Sequence, residues 1–386
     1  MKILFIDNKS VGAPNIIQAM RMKGWEVTPV QTDIDGRRMP ELEDALTRKL
    51  QEQNYDFLFS FNFFPVLAEV CHQTGVSYVS WTYDSPIVAL YSYTMVYDTN
   101  YVFLFDYEQY RELKEIGLNR VFYLPLASNT LYEILPESGI IYPPMEISFV
   151  GSLYNEEKND LCKKLEGISP YAKGYMDALI DAQKKIYGAY ILQTCMTQKL
   201  IDEFQSVCPY EENNSSGVET AKYIYADYFL ARRVTSLERI EVLDRLSKKH
   251  EVSLFSNCSA KELDHVHNMG SVNYYYDMAN VFRKSSINLN ITLKSIKSGI
   301  PQRMMDIMGA GGFLLTNYQT EMEWYFEAGV HYDYYSSMEE LEEKAAYYLA
   351  HPQVSEKIAR QGYEVVAKEF NYDKKLDEIV QIVKAG

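Results

Sequence analysis

The chain has 386 residues, of which 47% are hydrophobic and 24% are charged, a composition typical of a globular protein. A single hydrophobic core rarely organises this length, so two domains are expected. The formal net charge of -15 argues against nucleic acid or an anionic membrane surface as the main partner, because both require a dense cationic surface.

The cysteines and the N-terminal segment indicate a cytoplasmic protein. The five cysteines are odd in number, widely spaced and never in a CxxC pair, so neither a disulfide framework nor a zinc site is predicted. Residues 1–7 form an apolar run too short for a secretory signal, and they predict a first strand. No apolar stretch approaches the roughly 20 residues that a membrane-spanning helix needs.

The first third of the chain repeats a short apolar run followed by a helical or loop segment, which predicts a parallel sheet built from βα units. The predicted strands are 2–6, 26–30, 57–60, 78–81, 102–105 and 121–124. The predicted helices are 15–23, 42–53 and 108–115. Strands this short and apolar fit a sheet covered on both faces. We place the first domain at residues 1–128.

A turn-rich stretch after Pro125 is interpreted as the connection to a second α/β domain, placed at residues 145–372. A strand at 147–150 opens this domain, and an amphipathic pattern at 156–165 predicts a helix. The later predicted elements are a helical insert at about 171–233, strands 252–255, 287–291 and 313–316, and helices 301–308, 338–349 and 354–369. A final helix within 373–386 is expected to cross back to the first domain.

The most informative stretch for chemistry follows the strand at 287–291. Ser298 and Gly299 lie at the predicted N-terminus of a helix that opens with Pro301, where free N–H groups attract an anion. Arg303 and Asp306, three residues apart, share a face of that helix. The guanidinium suits a diphosphate, and the carboxylate suits ribose hydroxyls. The alternative is an ordinary i,i+3 ion pair on the surface.

Two other predicted strands end in residues suited to a ligand. Gly151 and Ser152 follow the strand at 147–150, where ligands of open α/β sheets usually sit and where a glycine lets the backbone approach a phosphate. Alternatively, Gly151 is needed only for the turn. Asp84 follows a strand of the first domain and is a candidate general base for a hydroxyl, unless it only initiates the turn before Pro86.

No metal site is predicted. The six histidines are scattered, and neither an HExxH nor a GxSxG motif occurs. His265 and His267 are two residues apart, a spacing that suits a strand face rather than a helical metal pair. Asp33 and Asp35 form an Asp-x-Asp pattern that we interpret as a turn.

Several segments in the last third of the chain match a known family. They are residues 286–291, 298–303 with Asp306, 309–317, 325–329, 339–341, 347–349 and 358–362. These segments resemble the C-terminal, group 1-like domain of CgeB-like (spore-maturation) glycosyltransferases. Residues 81–86, Trp-Thr-Tyr-Asp-Ser-Pro, look like the N-terminal domain commonly paired with it.

The resemblance implies the α/β fold called GT-B, with two Rossmann-like domains facing a cleft and here a helical insert in the second. It implies a hexosyltransferase-type enzyme that moves a sugar from a nucleotide sugar, with UDP the expected nucleotide, to a protein, a glycan or a small molecule. No cofactor, metal or nucleic acid is implied, and a homo-oligomer is compatible with the sequence.

The resemblance also assigns residues to the donor. In related enzymes the carboxylate at the position of Asp306 holds the ribose, and the nearby turns approach the diphosphate. The donor-binding residues implied are Gly151, Ser152, Val272, Tyr274, Asn290, Ser298, Gly299, Arg303 and Asp306. The commoner retaining pattern has two glutamates eight residues apart; Ser298 stands in place of the first, so the resemblance leaves retention or inversion open.

Transfer requires stabilisation of the leaving diphosphate and a base for the acceptor. Arg303 is the predicted catalytic residue that stabilises the leaving diphosphate. Lys294 and Lys297 are further candidates for this role, or they are ordinary surface cations. Asp84 is the predicted catalytic residue that serves as the base for the acceptor. Two other functions remain open at this point: a sugar-nucleotide epimerase of the same architecture, and a non-catalytic nucleotide-binding module.

Overall fold

The computed structural model describes residues 1–34, 38–129, 140–156, 160–210 and 220–386. The chain divides into two compact units. Unit 1 contains Met1–Ala127 and Phe370–Gly386, and the described residues of unit 2 lie within Ser128–Glu212 and Thr220–Glu369. Each unit is built around one six-stranded sheet in which all neighbouring strands run parallel.

The described residues form twelve strands and fifteen α-helices in an alternating order. The strands are β1 Lys2–Asp7, β2 Glu26–Gln31, β3 Phe57–Phe61, β4 Ser77–Trp81, β5 Asn100–Leu104, β6 Val121–Tyr123, β7 Met145–Val150, β8 Val252–Phe255, β9 Val266–Asn268, β10 Ser285–Asn290, β11 Leu314–Asn317 and β12 Asp333–Tyr335. The helices are α1 Ala13–Met22, α2 Pro40–Glu52, α3 Pro65–Thr74, α4 Tyr107–Glu115, α5 Pro170–Lys185, α6 Leu192–Cys195, α7 Gln198–Val207, α8 Ala221–Tyr223, α9 Ala231–Ser247, α10 Met278–Lys284, α11 Gln302–Gly309, α12 Met322–Tyr325, α13 Met338–Ala350, α14 Pro352–Glu369 and α15 Tyr372–Ala385. A π-helical segment, Ile224–Leu230, joins α8 to α9.

The sheet of unit 1 has the strand order β2-β1-β3-β4-β5-β6. Every residue of β3 and β5 is buried, as expected for central parallel strands covered on both faces. The edge strand β2 is partly exposed and contains Pro29, whose missing N–H is tolerated at an edge. The strand order reverses between β1 and β3. The loops after these two strands therefore leave the same edge of the sheet in opposite directions.

Helix α15 completes unit 1 although it lies at the far end of the chain. The Nζ atom of Lys23, next to the end of α1, pairs with Asp373 at 2.6 Å and with Asp377 at 3.0 Å. The hydroxyls of Tyr372 and Tyr83 are 3.0 Å apart. Both contacts connect the last helix to elements formed by the first 83 residues.

The sheet of unit 2 has the strand order β12-β11-β10-β7-β8-β9. The central pair places Ile147 of β7 opposite Ile287 of β10. The strand order reverses between these two strands, because β8 and β9 extend the sheet on one side of β7 while β11 and β12 extend it beyond β10. Helices α5 to α8 and the start of α9 enclose a separate apolar core around Phe204 and Tyr225.

Three details differ from the sequence predictions. Pro301 is not the first helical residue: its backbone is extended, with φ -68° and ψ 154°, and it is the N-cap of α11. The helix predicted at 156–165 appears in its described part only as a 3₁₀ turn, Leu161–Leu165, and residues 157–159 lie outside the described residues. The turn predicted at Asp33–Asp35 likewise extends beyond the described residues at its last position.

Among the described residues, no helix combines the length and the apolar character that a membrane crossing requires. All five cysteines are free thiols. In the same part of the chain, histidine, cysteine and acidic side chains do not gather in groups of three that would hold a metal ion.

Candidate functional site

The candidate site of unit 2 lies at the carboxyl edge of its sheet, around the reversal between β7 and β10. Ligands of open parallel sheets bind at such a point, because the two adjacent loops leave in opposite directions and open a crevice. Two pairs of predicted ligand-binding residues lie in the loops that leave these strands. Gly151 and Ser152 come directly after β7, and Ser298 and Gly299 lie in the loop between β10 and α11.

Asp306 is the most buried carboxylate among the predicted site residues, with 1% of its surface exposed. Its Oδ1 accepts hydrogen bonds from Tyr274 Oη at 3.0 Å and from Gln302 Nε2 at 2.8 Å. Its Oδ2 lies 3.3 Å from Arg303 Nη1. Desolvation raises the pKa of Asp306, while Arg303, Gln302 and Tyr274 act to lower it. A carboxylate has about four acceptor positions, so a further donor can still bind.

Arg303 forms the i,i+3 ion pair with Asp306 that the sequence suggested as an alternative to ligand binding. The pair is not an ordinary surface pair, because the carboxylate is buried and only the guanidinium reaches solvent, with 29% of the Arg303 side chain exposed. Arg303 also donates to the Sδ atom of Met278. The guanidinium is therefore held in one orientation at the rim of the site.

The loop between β9 and α10 brings Tyr274 to the same place. Its hydroxyl bond to Asp306 shows that this loop lies against α11, although β9 is at the far edge of the sheet. Val272, in the same loop, is half-buried. Asp306 thus contacts both Tyr274 and Arg303. The spacing of Arg303 and Asp306 predicted their pairing, whereas Tyr274 was assigned to the donor site only through the family resemblance.

Gly151 and Ser152 use their own polar groups differently from the prediction. The N–H of Gly151 donates to the carbonyl of Phe255 at 3.1 Å, so that group belongs to the sheet and does not face a ligand. The Ser152 hydroxyl lies 3.1 Å from both carboxylate oxygens of Glu156 and accepts from the N–H of Tyr154 at 2.8 Å. What Gly151 supplies is space, because it carries no side chain.

The two loops after β10 and β11 are joined by a buried hydrogen bond. Ser298 Oγ donates to Glu321 Oε1 at 2.6 Å, and the Glu321 side chain is fully buried. Gly299, the next residue, is also buried. At the end of β10, Asn290 Nδ2 donates to the hydroxyls of Thr292 and Thr316 at 3.0 and 3.1 Å. These bonds fix the floor of the crevice.

Arg239, on α9, was missed by the sequence interpretation. Its side chain is 8% exposed, and Nη1 donates to the carbonyl of Ser152 at 2.5 Å. Nε and Nη2 donate to the carbonyl of Ile291 at 3.1 and 2.5 Å. The guanidinium therefore bridges the residues that follow β7 and β10. Desolvation lowers the pKa of Arg239 and the charge of Arg303 adds to this decrease, while Tyr154 and Glu238 act to raise it.

The two lysines considered for the diphosphate differ from each other. Lys294 is buried and pairs with the buried Glu238 at 2.9 Å, so it is not an ordinary surface cation. Its Nζ lies 4.4 Å from the ring centre of Tyr187. Lys297 is half-buried, with Nζ 5.3 Å from the ring centre of Tyr190. Both lysines contact tyrosines that follow α5.

Unit 1 has its own polar group at the carboxyl edge of its sheet. Asn62, directly after β3, adopts a left-handed conformation with φ 60°, which is uncommon for a residue other than glycine. Its Nδ2 donates to Asp84 Oδ2 at 2.7 Å, and its Oδ1 accepts from the N–H groups of Tyr83 and Asp84 at 2.9 and 3.1 Å. Desolvation raises the pKa of Asp84, while the Asn62 bond lowers it.

Comparison with known families bears on the C-terminal part of the chain. Residues 233–381 match the family described as "Glycosyl transferase-like", Glyco_trans_1_2. This range includes α11 with Arg303 and Asp306, and also Arg239. This stretch of the chain is therefore similar to a glycosyltransferase domain, and the predicted class of enzyme, a glycosyltransferase, is confirmed. Among curated proteins, no relative matches the sequence.

Solved structures similar to this chain share its two-unit architecture. HepE from Anabaena, solved in complex with UDP-glucose, aligns with a TM-score of 0.54 and 11% identity over 100% of both chains. Sucrose-phosphate synthase from Thermosynechococcus elongatus gives 0.54 and 11%, and a glycosyltransferase from Rickettsia africae ESF-5 gives 0.53 and 11%, each covering 100% of this chain and 98% of the other. The predicted α/β, GT-B fold class is confirmed.

Proposed function

We propose that this protein transfers a sugar from a UDP-sugar donor to a hydroxyl group of an acceptor. The observation that carries the proposal is the buried Asp306 with its three partners, placed beside the sheet reversal of a glycosyltransferase-like domain. HepE, which shares the fold, was solved with UDP-glucose, and this supports UDP as the nucleotide.

In this proposal Asp306 accepts hydrogen bonds from the donor ribose and Arg303 contributes positive charge near the diphosphate. Tyr274, Val272 and the residues around Ser298 and Gly299 complete the donor site. The half-buried Val272 and the ring of Tyr274 give the loop an apolar surface suited to a base.

Asp84 is proposed as the base that receives the proton of the acceptor hydroxyl. Its raised pKa brings the carboxyl closer to the range in which it both ionises and accepts a proton efficiently. Asn62 orients it through the hydrogen bond at 2.7 Å. Acceptors of all three predicted kinds, a protein, a glycan or a small molecule, carry such a hydroxyl.

A direct test incubates the full chain with a panel of UDP-sugars and measures UDP release and donor isomerisation, with and without candidate acceptors. We expect release of UDP and no isomerised donor. An isomerised donor indicates an epimerase, and binding without release indicates a nucleotide-binding module. Either result contradicts the proposal.

The double variant Arg303→Ala, Asp306→Ala links the activity to the site. We expect UDP affinity to fall by at least about 10- to 100-fold, because a single charged hydrogen bond contributes about 1.5–3 kcal/mol. Calorimetry with UDP measures this loss. Lys173→Ala, which removes an exposed ion pair with Asp177, is the control. Unchanged UDP affinity in a folded double variant would remove these residues from the donor site.

Three finer assignments extend the proposal. The chain belongs with the CgeB-like subfamily, supported by the segments quoted from its last third. Transfer proceeds without a metal ion, because Arg303 supplies positive charge of the kind that a metal provides elsewhere. The protein acts in the cytoplasm. Activity that disappears in EDTA and returns with a divalent cation would contradict the second assignment.

A further inference from the structure

Arg239 differs from the other deeply buried cations of the chain. In the described part of the sequence, Arg239, Lys294 and Lys375 are the cationic residues with less than a tenth of their surface exposed. Lys294 pairs with Glu238 at 2.9 Å, and Lys375 pairs with Glu378 at 2.9 Å. Among these residues, Arg239 has no carboxylate within ion-pair distance; its hydrogen bonds go to backbone carbonyls.

An unneutralised buried charge is costly, because desolvation removes the stabilisation that water provides. Carbonyl dipoles and the aromatic rings of Phe149 and Tyr154, 5.2 and 4.9 Å from the guanidinium carbon, compensate in part. A guanidinium has five N–H groups, and the three bonds to Ser152 and Ile291 leave donors for an anion. The burial of Arg239 is therefore explained if an anionic ligand completes its surroundings.

The position of Arg239 indicates where that anion lies. The carbonyls it binds belong to Ser152, after β7, and Ile291, after β10, so the guanidinium lies at the reversal of strand order. A Cβ atom at Gly151 would be 3.8 Å from Arg239 Nη1. The absence of a side chain at Gly151 thus leaves room next to the cation, at the point of the sheet where ligands bind.

Tyr154 adds a second sign of a ligand site. Its backbone has φ 54°, a left-handed conformation that is strained for a tyrosine and that clusters at functional sites. This conformation accompanies the placement of its ring against the guanidinium. The backbone N–H of Tyr154 donates to the Ser152 hydroxyl, and this bond stabilises the turn.

We infer that Arg239 binds the diphosphate of the nucleotide-sugar donor and stabilises it as the leaving group. The inference rests on the proposed function and adds to it a cation from helix α9, outside the α11 segment on which the donor site was predicted. In the transfer, the bond between the sugar's anomeric carbon and the diphosphate oxygen breaks, and its electron pair stays on the diphosphate. The acceptor oxygen bonds to that carbon, and its proton goes to the base. Arg239 stabilises the charge that develops on the departing oxygen.

The test compares UDP with uridine, because uridine lacks the groups that Arg239 would bind. Full-length wild type, Arg239→Met and Arg239→Lys are titrated by calorimetry, with uridine measured by competition. We expect Arg239→Met to weaken UDP binding by about 10- to 100-fold and to leave uridine binding within about twofold. Arg239→Lys keeps the charge but loses the planar guanidinium, so its UDP affinity is expected to lie between those of wild type and Arg239→Met. A purely structural arginine would change both ligands equally.

Arg245→Met is the matched control, since Arg245 lies on the same helix but is 38% exposed and pairs with Glu241 at 3.4 Å. It should leave both affinities unchanged. In steady-state assays, Arg239→Met should lower kcat at saturating donor, because the developing charge is greatest in the transition state. If folded Arg239→Met prefers UDP over uridine by the same factor as wild type, the inference is overturned and the proposed function still stands.

Gly151→Ala keeps the inference testable if Arg239→Met does not fold. The added methyl would lie 3.3 Å from the Phe149 ring, a contact that a small ring shift relieves, and 3.8 Å from Arg239 Nη1. We expect it to weaken UDP binding more than uridine binding, by about three- to tenfold. Equal affinities in wild type and Gly151→Ala would place the diphosphate elsewhere. If wild type binds no UDP at all, the donor proposal and this inference both fail.

Discussion

The two units are built on the same plan but place groups of opposite charge at the carboxyl edges of their sheets. In unit 1 the loop after β3 carries Asn62, which holds the carboxylate of Asp84. In unit 2 the loops after β7 and β10 carry carbonyls that hold the guanidinium of Arg239. A parallel sheet therefore fixes the location of a site, while the side chains fix its charge.

The charge of each group suits a different part of one reaction. In the proposed transfer, an anionic group of raised pKa suits the acceptance of a proton from a hydroxyl, and a buried cation suits the stabilisation of a departing diphosphate. The comparison makes a strong prediction for the site residues. Substitutions of Asp84 and Asn62 in unit 1 should change catalysis and leave nucleotide affinity unaltered, whereas substitution of Arg239 in unit 2 should change nucleotide affinity.

Asp84→Asn is expected to give the largest effect. Loss of a general base should lower kcat by about 10²- to 10⁴-fold, with UDP affinity unchanged. Assays of UDP release together with UDP calorimetry measure both quantities. Asp98→Asn, which alters an exposed aspartate of the same unit, serves as the control. A variant that retains more than a tenth of wild-type kcat would show that Asp84 is not the base.

The same variant carries a signature in stability. Because the pKa of Asp84 is raised in the folded state, the protonated carboxyl contributes to the free energy of unfolding. This contribution is fully present below the usual pKa of 3.8 and is lost as the pH rises through the raised pKa. Asp84→Asn should therefore melt at a higher temperature than wild type at neutral pH, and this advantage should disappear below about pH 4. Lower neutral-pH stability of Asp84→Asn would indicate a structural role.

Asn62→Gly should give an intermediate effect that sharpens the role of unit 1. Glycine adopts the φ of 60° without strain, so the variant removes the amide while keeping the backbone. Because the Asn62 bond lowers the pKa of Asp84, its loss should move the acidic limb of the kcat/KM profile to higher pH. Lys9→Gly, at another left-handed residue of unit 1 with φ 55°, is the control. An unshifted profile would show that Asn62 does not tune the base.

Lys23→Met should give the smallest effect, on stability alone. Desolvation acts to lower the pKa of Lys23, but its bonds to Asp373 and Asp377 raise it overall. The contribution of these two ion pairs to the free energy of unfolding is thus present below the usual pKa of 10.5. It is lost as the pH rises through the raised pKa. Both acids are exposed, so we expect about 1 kcal/mol at neutral pH.

The measurement is urea unfolding in a Trp324→Phe background, in which the remaining tryptophans, Trp25 and Trp81, both report on unit 1. Lys173→Met, which removes an ion pair of unit 2, should leave the midpoint of this unfolding transition unchanged. A Lys23→Met transition that coincides with wild type at pH 7 would mean that the ion pairs do not secure α15.

The fold was largely predictable because central strands such as β3 and β5 are short runs of mainly apolar residues. The elements that escaped prediction lack that signal. Strand β9, Val266–Asn268, is short and mostly exposed, and β12 begins with the buried Asp333, which Lys344 neutralises only in the folded protein. Helix α3 was missed because most of its residues are buried, which removes the amphipathic pattern that marks a surface helix.

The site was only partly predictable from the sequence. Arg303 and Asp306 were found because they follow a helix-start pattern and match a family. Arg239 lies on a helix buried on several faces, where one arginine among several charged residues carries no local signal. Asn62 was missed as well, since its left-handed backbone and its bond to Asp84 depend on strands that are distant in the sequence.

Helix α15 has a consequence for how the protein is made. Residues 128–369 are synthesised between the first 127 residues and the segment that completes their unit, which takes on the order of ten seconds or more at about 5–20 residues per second. During this interval Lys23 and Tyr83 lack their partners Asp373 and Tyr372. The first segment of unit 1 therefore leaves the ribosome before unit 2 but completes its fold after it, and until then the surface that α15 covers stays exposed.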